Sequence, residues 1–133
     1  MMDIPNLPAG LREAARRAAL LCLAEVAGIT AVVIATVDGF DLASAFRGDQ
    51  DASRIAAMAS SISAISSVVA LEAGLDNFRS VTINTDSGFA IVHAVPRTDV
   101  ELVIHLIAGG DAILAQAMHR AGMMAKVLAG VSP

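Results

Sequence analysis

The chain has 133 residues, of which 56% are hydrophobic and 17% are charged, and its formal net charge at pH 7 is −4. The length favours one domain with a substantial core, and the apolar content excludes an intrinsically disordered chain. The acidic balance, the single lysine and the lack of Trp and Tyr argue against a nucleic-acid-binding protein, which needs clustered cations or aromatic stacking partners.

The sequence of the N-terminal region predicts a short irregular segment followed by a helix. Residues 1–8 contain two prolines and form the expected lead-in, and a single domain is expected over residues 9–129 with a tail at 130–133. The first helix is predicted over residues 9–27. Residues 18–24 are apolar on all sides of that helix, so we expect this half to be covered on more than one side.

The apolar stretch at residues 18–37 is long enough to cross a membrane, but its pattern argues against that. Glu25 lies inside the stretch, where a charge is costly, and the periodicity changes from helical to β-branched after Gly28. We therefore expect neither membrane insertion nor a cleavable signal. Cys22 is the only cysteine, which excludes an intramolecular disulfide and favours a reducing, cytoplasmic location.

A hairpin is predicted next. Residues 29–37 are apolar without alternation, which is typical of a strand buried on both faces. The Asp38-Gly39 turn leads into a shorter edge strand at residues 41–46, and a charged loop follows at residues 47–51.

The second helix, predicted over residues 52–73 and ended by Gly74, carries the most informative pattern. Large apolar residues at steps of 3 and 4 predict its core face: Ile55, Met58, Ile62, Ile65 and Val69. Small residues predict the outward face: Ala56, Ser60, Ser63, Ser67 and Ala70. No charge occurs between residues 55 and 71. Because small side chains let another backbone approach closely, we interpret the outward face as a docking surface for a second copy, a different protein or both.

The third strand, predicted over residues 79–85, alternates apolar and polar residues and reads as an edge strand. An uncharged edge invites pairing with another strand. Pairing of two copies about a two-fold axis would extend the sheet and place the two second helices side by side. The residues of this predicted interface are Ser80, Val81, Thr82, Ile83 and Asn84.

The remaining elements complete an α/β domain of the α+β type. Strands are predicted at residues 89–95 and 100–107, and Asp111 is a candidate N-cap for the last helix. That helix has a predicted buried stripe: Leu114, Met118, Ala121, Ala125 and Leu128. With the most apolar strands central, the sheet is five-stranded and antiparallel in the order 2-1-5-4-3. The second helix lies on one face, and the first and third helices lie on the other.

The sequence carries no strong catalytic signature. It has no P-loop, no GxGxxG and no GxSxG motif. His93, His105 and His119 lack a metal-binding spacing, and Asp38 and Asp41 are accounted for by turn chemistry. We therefore expect no catalytic residue, no cofactor and no metal.

The stretch from Gly28 to Ser44 resembles the first hairpin of the Roadblock/LC7 family, with its Asp-Gly turn. The Ala/Ser-rich second helix, the second hairpin and the Gly-Gly pair before the last helix follow in the family's order, over about residues 9–128. The resemblance implies a profilin-like fold and a homodimer joined through the third strand and the second helix.

The resemblance also implies a non-enzymatic protein that binds and regulates, or scaffolds, a small Ras-like GTPase docked near the paired second helices. Such a regulator can stimulate hydrolysis by its partner without a catalytic site of its own. Arg47 and Arg54 are the candidate GTPase contacts, since arginines at one end of that surface can meet acidic groups or phosphate. Two alternatives stay open: a GTPase-independent scaffold in a bacterial signalling or motility complex, and a sensor that binds a small ligand between sheet and helices.

Overall fold

The structure is a computed structural model that describes residues 7–133. The predicted lead-in at residues 1–8 lies outside the described residues except for its last two. The elements are α1 (Leu11–Glu25), β1 (Ile29–Thr36), β2 (Asp41–Phe46), α2 (Ala52–Glu72), β3 (Ser80–Thr85), β4 (Gly88–Val95), β5 (Leu102–Gly109) and α3 (Leu114–Ala129).

The five strands form one sheet in the order β2-β1-β5-β4-β3, and every neighbouring pair is antiparallel. The predicted topology is therefore confirmed. The apolar strands β1 and β5 lie at the centre, where both faces of the sheet are covered, and the two shorter strands lie at the edges.

Alternate residues of the central strands point into two separate cores. Val32 and Ile34 face α1 and α3, whose apolar sides form the larger core. Val33 and Ala35 face α2 and form a smaller core with it. The α2 layer thus has fewer buried side chains than the opposite layer, and this asymmetry determines where the candidate site lies.

Two predicted glycine turns are confirmed: one lies between β1 and β2, and the other ends α2. Gly39 has φ of 98° in the turn between β1 and β2, a value that a residue with a Cβ rarely adopts. Gly74 has φ of 70° just after α2. The amides of Gly74 and Leu75 donate to the carbonyls of Leu71 and Ala70, so the helix ends in a Schellman motif.

The pairing of the edge strand β2 with β1 is irregular. The register passes from Ile34↔Ala43 to Ala35↔Asp41, which leaves Leu42 as an extra residue in a β-bulge. The Arg12 guanidinium on α1 donates to the Leu42 carbonyl at 3.1 Å. β2 is therefore bent and tied to the helical layer.

Several predicted boundaries and faces need correction. The predicted N-cap of α3 is wrong: the helix begins at Leu114, and its N-cap, Ile113, makes no side-chain bond. The reason is that the segment before α3 packs on Gly28, where a Cβ would lie 2.6 Å from Ala112, so the helix starts later. The predicted stripe of α3 is wrong only at Met118, which is 44% exposed while Met124 is buried; Ala121, Ala125 and Leu128 are buried as predicted.

The second half of α1 is not covered on more than one side by the described residues. Leu20 and Leu21 are 46% and 47% exposed, so this expectation is also wrong for the single chain. The stretch 18–37 forms no continuous helix, because α1 ends at Glu25 and β1 begins at Ile29. That outcome agrees with the rejection of a membrane span there.

Candidate interaction surface on α2 and β3

The start of helix α2 is stabilised by an N-cap from its own sequence. The Asp51 carboxylate accepts hydrogen bonds from the amides of Ser53 and Arg54 at 3.1 and 3.3 Å, as an N-cap does. The bonds from Arg54 and Ser53 lower the pKa of Asp51 from its ordinary value, since they favour the ionised carboxylate. The helix is therefore fixed before any partner binds.

The structure rotates the buried face of α2 relative to the prediction. Ile55 is buried and Ile62 is half-buried, as predicted, but the sheet side also includes residues predicted to face outward. Ala56 and Ala59 are fully buried and Ser63 is 8% exposed, and all three lie on the sheet side of the helix. The assignment of Ala56 and Ser63 to the outward docking face is therefore wrong. Valine side chains project from the sheet beneath α2, and small helix residues let the helix lie close to them.

The other predicted docking residues divide between the two sides. Ser60 is half-buried and donates its hydroxyl to the Val37 carbonyl, so it fastens α2 to the first hairpin. Ala70 is half-buried, and Ser67 is exposed. Ser67 alone among the five predicted residues thus stands fully outward.

The exposed side of α2 consists of large apolar side chains. We call this set the α2 outer face: Met58 (45% exposed), Ile65 (65%), Val68 (60%), Val69 (60%), Leu71 (75%) and, just beyond the helix, Leu75 (69%). Met58, Ile65 and Val69 were predicted in the core because their spacing suits a core stripe; Val68, Leu71 and Leu75 were not singled out. Within the described chain, α2 is also the one helix with the length and composition to cross a bilayer, with 22% of its apolar window buried.

Only the first half of α2 is docked on the sheet. All of its buried residues lie at or before Ser63, and no residue from Ala64 to Leu75 is buried. The chain runs from the end of α2 into β3 at Ser80. The second half of α2 therefore extends away from the central strands with its apolar side chains uncovered, which is costly in water.

Strand β3 presents the second part of the surface. It pairs with β4 on one side and with no other strand of the described chain on its other side. Val81 packs beside the smaller core, and Ile83, two residues along on the same face, is 43% exposed. Residues 80–85 carry no charge, so the edge lacks the usual protection against pairing. The predicted interface residues of β3 therefore lie at an open edge, beside the α2 layer.

The two candidate arginines differ in their surroundings. The Arg47 guanidinium donates to the Ile29 carbonyl at 3.1 Å and to the Leu23 carbonyl at 2.8 Å, so it ties the loop after β2 to the end of α1. Arg54 is exposed in the first turn of α2. Arg54 is thus the better placed of the two to meet a partner on the α2 side.

The titratable groups of the described residues show no catalytic arrangement. No group of three or more His, Cys, Asp or Glu residues within residues 7–133 could hold a metal ion. Burial raises the pKa of the Cys22 thiol to about 11, which keeps it protonated and unreactive at neutral pH. His105 is buried under α2, with Nδ1 3.5 Å from the Ile55 carbonyl.

An open groove of about 870 Å³ lies at the end of β4, beyond the start of β3. Polar side chains reach it from several elements: Asp76, Asn77, Arg79, His93, Glu101 and Lys126. This is the place where the small-ligand alternative would put its ligand. The groups are spread over both sides of the sheet rather than converging on one point, which disfavours a built small-molecule site.

Solved structures share this fold at low sequence identity. A Roadblock/LC7 domain from Streptomyces avermitilis is 19% identical, with a TM-score of 0.74 over 83% of this chain and 90% of the other. The gliding protein MglB from Thermus thermophilus is 16% identical, with a TM-score of 0.81 over 96% of each chain. Profilin II from Acanthamoeba castellanii is 17% identical, with a TM-score of 0.54 over 87% and 97%.

These structural likenesses establish the profilin-like fold. A search of curated proteins found no match. The sequence profile of the Roadblock/LC7 domain, however, matches residues 15–104, from the first half of α1 to β5. The chain therefore belongs to the Roadblock/LC7 domain family.

Proposed function

We propose that the protein is a cytoplasmic homodimer, formed through the α2 outer face and the β3 edge, that binds a small Ras-like GTPase and regulates or scaffolds it. The dimer is supported by the apolar second half of α2, which carries no charge from Ala64 to Leu71 and is left uncovered by the residues the structure describes. Family membership supports the GTPase, and Roadblock/LC7 proteins are regulatory rather than catalytic.

A dimer with a two-fold axis beside β3 would cover both the β3 edge and the α2 outer face. Antiparallel pairing of two β3 strands joins the sheets edge to edge, and the second halves of the two α2 helices then approach each other above the junction. Ile83 lies on the same side of the sheet and becomes covered as well. The helical part of the α2 outer face, from Met58 to Leu71, is about 20 Å long at 1.5 Å per residue. Together with the β3 edge, it suits a standard interface of about 800 Å² per partner.

The GTPase would dock on the surface formed by the paired helices, with Arg54 at its end. The uncharged α2 segment offers little to a phosphate, so we expect regulation through the conformation of the GTPase rather than through an arginine supplied to its active site. The GTPase-independent scaffold is the alternative that uses the same dimer.

The dimer is tested by sedimentation equilibrium. The wild type should have twice the chain mass of 13.6 kDa, and Val69→Asp should be monomeric, because a buried carboxylate without a partner is strongly disfavoured. Ala57→Asp adds the same charge at an exposed position in the docked half and should remain dimeric. A wild-type monomer, or an unchanged Val69→Asp dimer, would disprove the interface.

The GTPase is tested separately, by co-purification of the wild-type dimer with a cognate small GTPase loaded with GTP or GDP. Preferential recovery of one nucleotide state supports regulation. Equal recovery of both states supports scaffolding, and no recovery from an intact dimer overturns the GTPase partner while leaving the interface standing.

A further inference from the structure

A groove runs between α1 and α3, on the face of the sheet opposite α2. Its volume is about 460 Å³, and its walls come from residues 13–21 of α1 and 120–127 of α3. The Arg120 guanidinium on α3 contacts the Glu25 carboxylate at the end of α1 at 2.9 Å, while Glu13 at the start of α1 lines the same groove as Val127 near the end of α3. The two helices are therefore antiparallel, with an open channel between them.

The lining of this groove is apolar and exposed. Leu21 is 47% exposed, Met123 is 49% exposed and Val127 is 58% exposed, although each lies on the wall of the channel. Met124 forms part of the floor and is buried. Large apolar side chains around a channel are the usual lining of a site that takes another helix.

The two helices are basic in an acidic protein. Five of the nine Lys and Arg residues lie on α1 and α3, against two of the thirteen Asp and Glu residues. These helices therefore carry a net charge of +3, while the whole chain carries −4. The charged residues concerned are Arg12, Arg16, Arg17, Arg120 and Lys126, with Glu13 and Glu25.

Two of the arginines on these helices are already paired. Arg16 contacts Glu13 at 2.6 Å, and Arg120 contacts Glu25. Arg17 lines the groove and has no ion pair with any of the residues the structure describes. The groove thus has an apolar lining beside a cation that is available to an incoming carboxylate.

We infer that this groove is a second docking site, for an amphipathic helix of another protein whose apolar stripe is flanked by Asp or Glu. Charge complementarity selects this occupant. A second copy docked face to face would bring two net positive linings together, since Arg17 and Arg120 outnumber Glu13 in each groove, and a flat bilayer would not fill a channel between two helices. The site lies on the opposite face from the α2 outer face, so it does not depend on the proposed dimer.

The test uses a displayed library of helical peptides about 15 residues long, about 22 Å, which matches α1. Leu is fixed at alternating steps of 3 and 4, and the other positions are randomised. Panning on the full-length protein should enrich peptides with Asp or Glu beside the Leu stripe, and Leu21→Glu should reduce their affinity at least about tenfold. Enrichment without an acidic preference, or with full affinity retained in Leu21→Glu, would overturn the site.

A charge reversal supplies the matched control. Arg17→Glu should weaken an enriched peptide by about threefold to tenfold at low salt, and less at high salt. Arg54→Glu makes the same charge change on α2 and should leave the affinity unchanged. Equal effects of the two variants would show that only net charge matters, and the assignment to this groove would be wrong.

Two measurements identify other occupants. Sedimentation of Leu21→Glu at half the wild-type mass would place a second copy in the groove. Binding of the wild type to vesicles of phosphatidylcholine and phosphatidylserine, lost in Leu21→Glu, would place a membrane there. Either result overturns the proposal, whereas peptide binding retained by the monomeric Val69→Asp variant supports it independently of the dimer.

Discussion

Ala56, Ala59 and Ser63 determine how closely α2 approaches the sheet. All three are buried, and Ala56 and Ala59 pack against a surface built mainly of valine side chains. None of the three side chains extends beyond Cβ or a hydroxyl. Close packing of this kind gains dispersion energy but leaves no space for larger groups. The contact is therefore sensitive to added volume.

Ala59→Leu should destabilise the fold by about 1–3 kcal/mol, since the added methylenes cannot be placed without moving α2. Ala57→Leu adds the same atoms two residues earlier, at an exposed position, and should change the stability by less than about 0.5 kcal/mol. Urea unfolding followed by circular dichroism measures both. Equal effects of the two variants would contradict the observed orientation of α2.

His105 makes stability depend on pH. Burial lowers the pKa of this side chain from its ordinary 6.5, against a smaller raising effect of the bond to the Ile55 carbonyl. The unfolded state then binds the proton more readily than the folded state. The contribution of His105 to the free energy of unfolding is therefore fully present above about pH 6.5, and it decreases as the pH falls below that value. The loss continues until the pH passes the pKa of the folded state.

We expect unfolding free energies measured at about pH 7.5 and about pH 5.5 to differ by up to about 1.4 kcal/mol from this group. His105→Leu should remove that difference, whereas the exposed control His119→Gln should keep it. An undiminished pH dependence in His105→Leu would assign the effect to other groups.

At the scale of elements, the strands and their order followed from local signals, but the buried face of α2 did not. Apolar runs, Asp38-Gly39 and Gly74 fixed β1, β2 and the end of α2. The rotation of α2 was misjudged because nearly all of its residues are apolar or small, so hydrophobicity alone does not distinguish its sides. A stripe of small residues at steps of 4, 3, 4, 3 and 4 was the available signal: Ala52, Ala56, Ala59, Ser63, Ser66 and Ala70.

The end of α3 depends on one arginine. The Arg97 side chain is 3% exposed and donates to the Leu128 and Val131 carbonyls, both at 2.7 Å. It also forms a double hydrogen bond with the Asp99 carboxylate, at 2.8 and 2.7 Å, which lowers the pKa of Asp99 to about 2. One guanidinium thus satisfies the end of the helix and fixes the loop before β5.

Arg97→Met should therefore cost about 2–3 kcal/mol of stability, since it leaves these acceptors without their donor. Arg97→Lys should recover only part of the loss, because an ammonium cannot reproduce the forked geometry. Thermal and urea unfolding at neutral pH provide the measurement. A loss under about 0.5 kcal/mol in Arg97→Met would show that solvent replaces these bonds without cost.

For the whole molecule, dimerisation and folding stability are linked by mass action. If two chains bury the α2 outer face together, the melting temperature must rise with protein concentration. Ile83→Lys places a charge on the open β3 edge and should give a monomer whose melting temperature is independent of concentration. Differential scanning calorimetry over about a hundredfold concentration range tests both, and a concentration-independent wild type would rule out the dimer.

The β-bulge in strand β2 determines whether such a dimer can add further chains at its ends. Joining two sheets at β3 leaves a β2 strand at each far end, where a regular backbone would recruit further chains and build a fibre. The extra residue Leu42 breaks the repeat of the backbone groups, and Arg12 already occupies its carbonyl. If the proposed dimer forms, growth by strand addition should therefore stop after two copies, and the protein should remain a particle of defined size instead of polymerising.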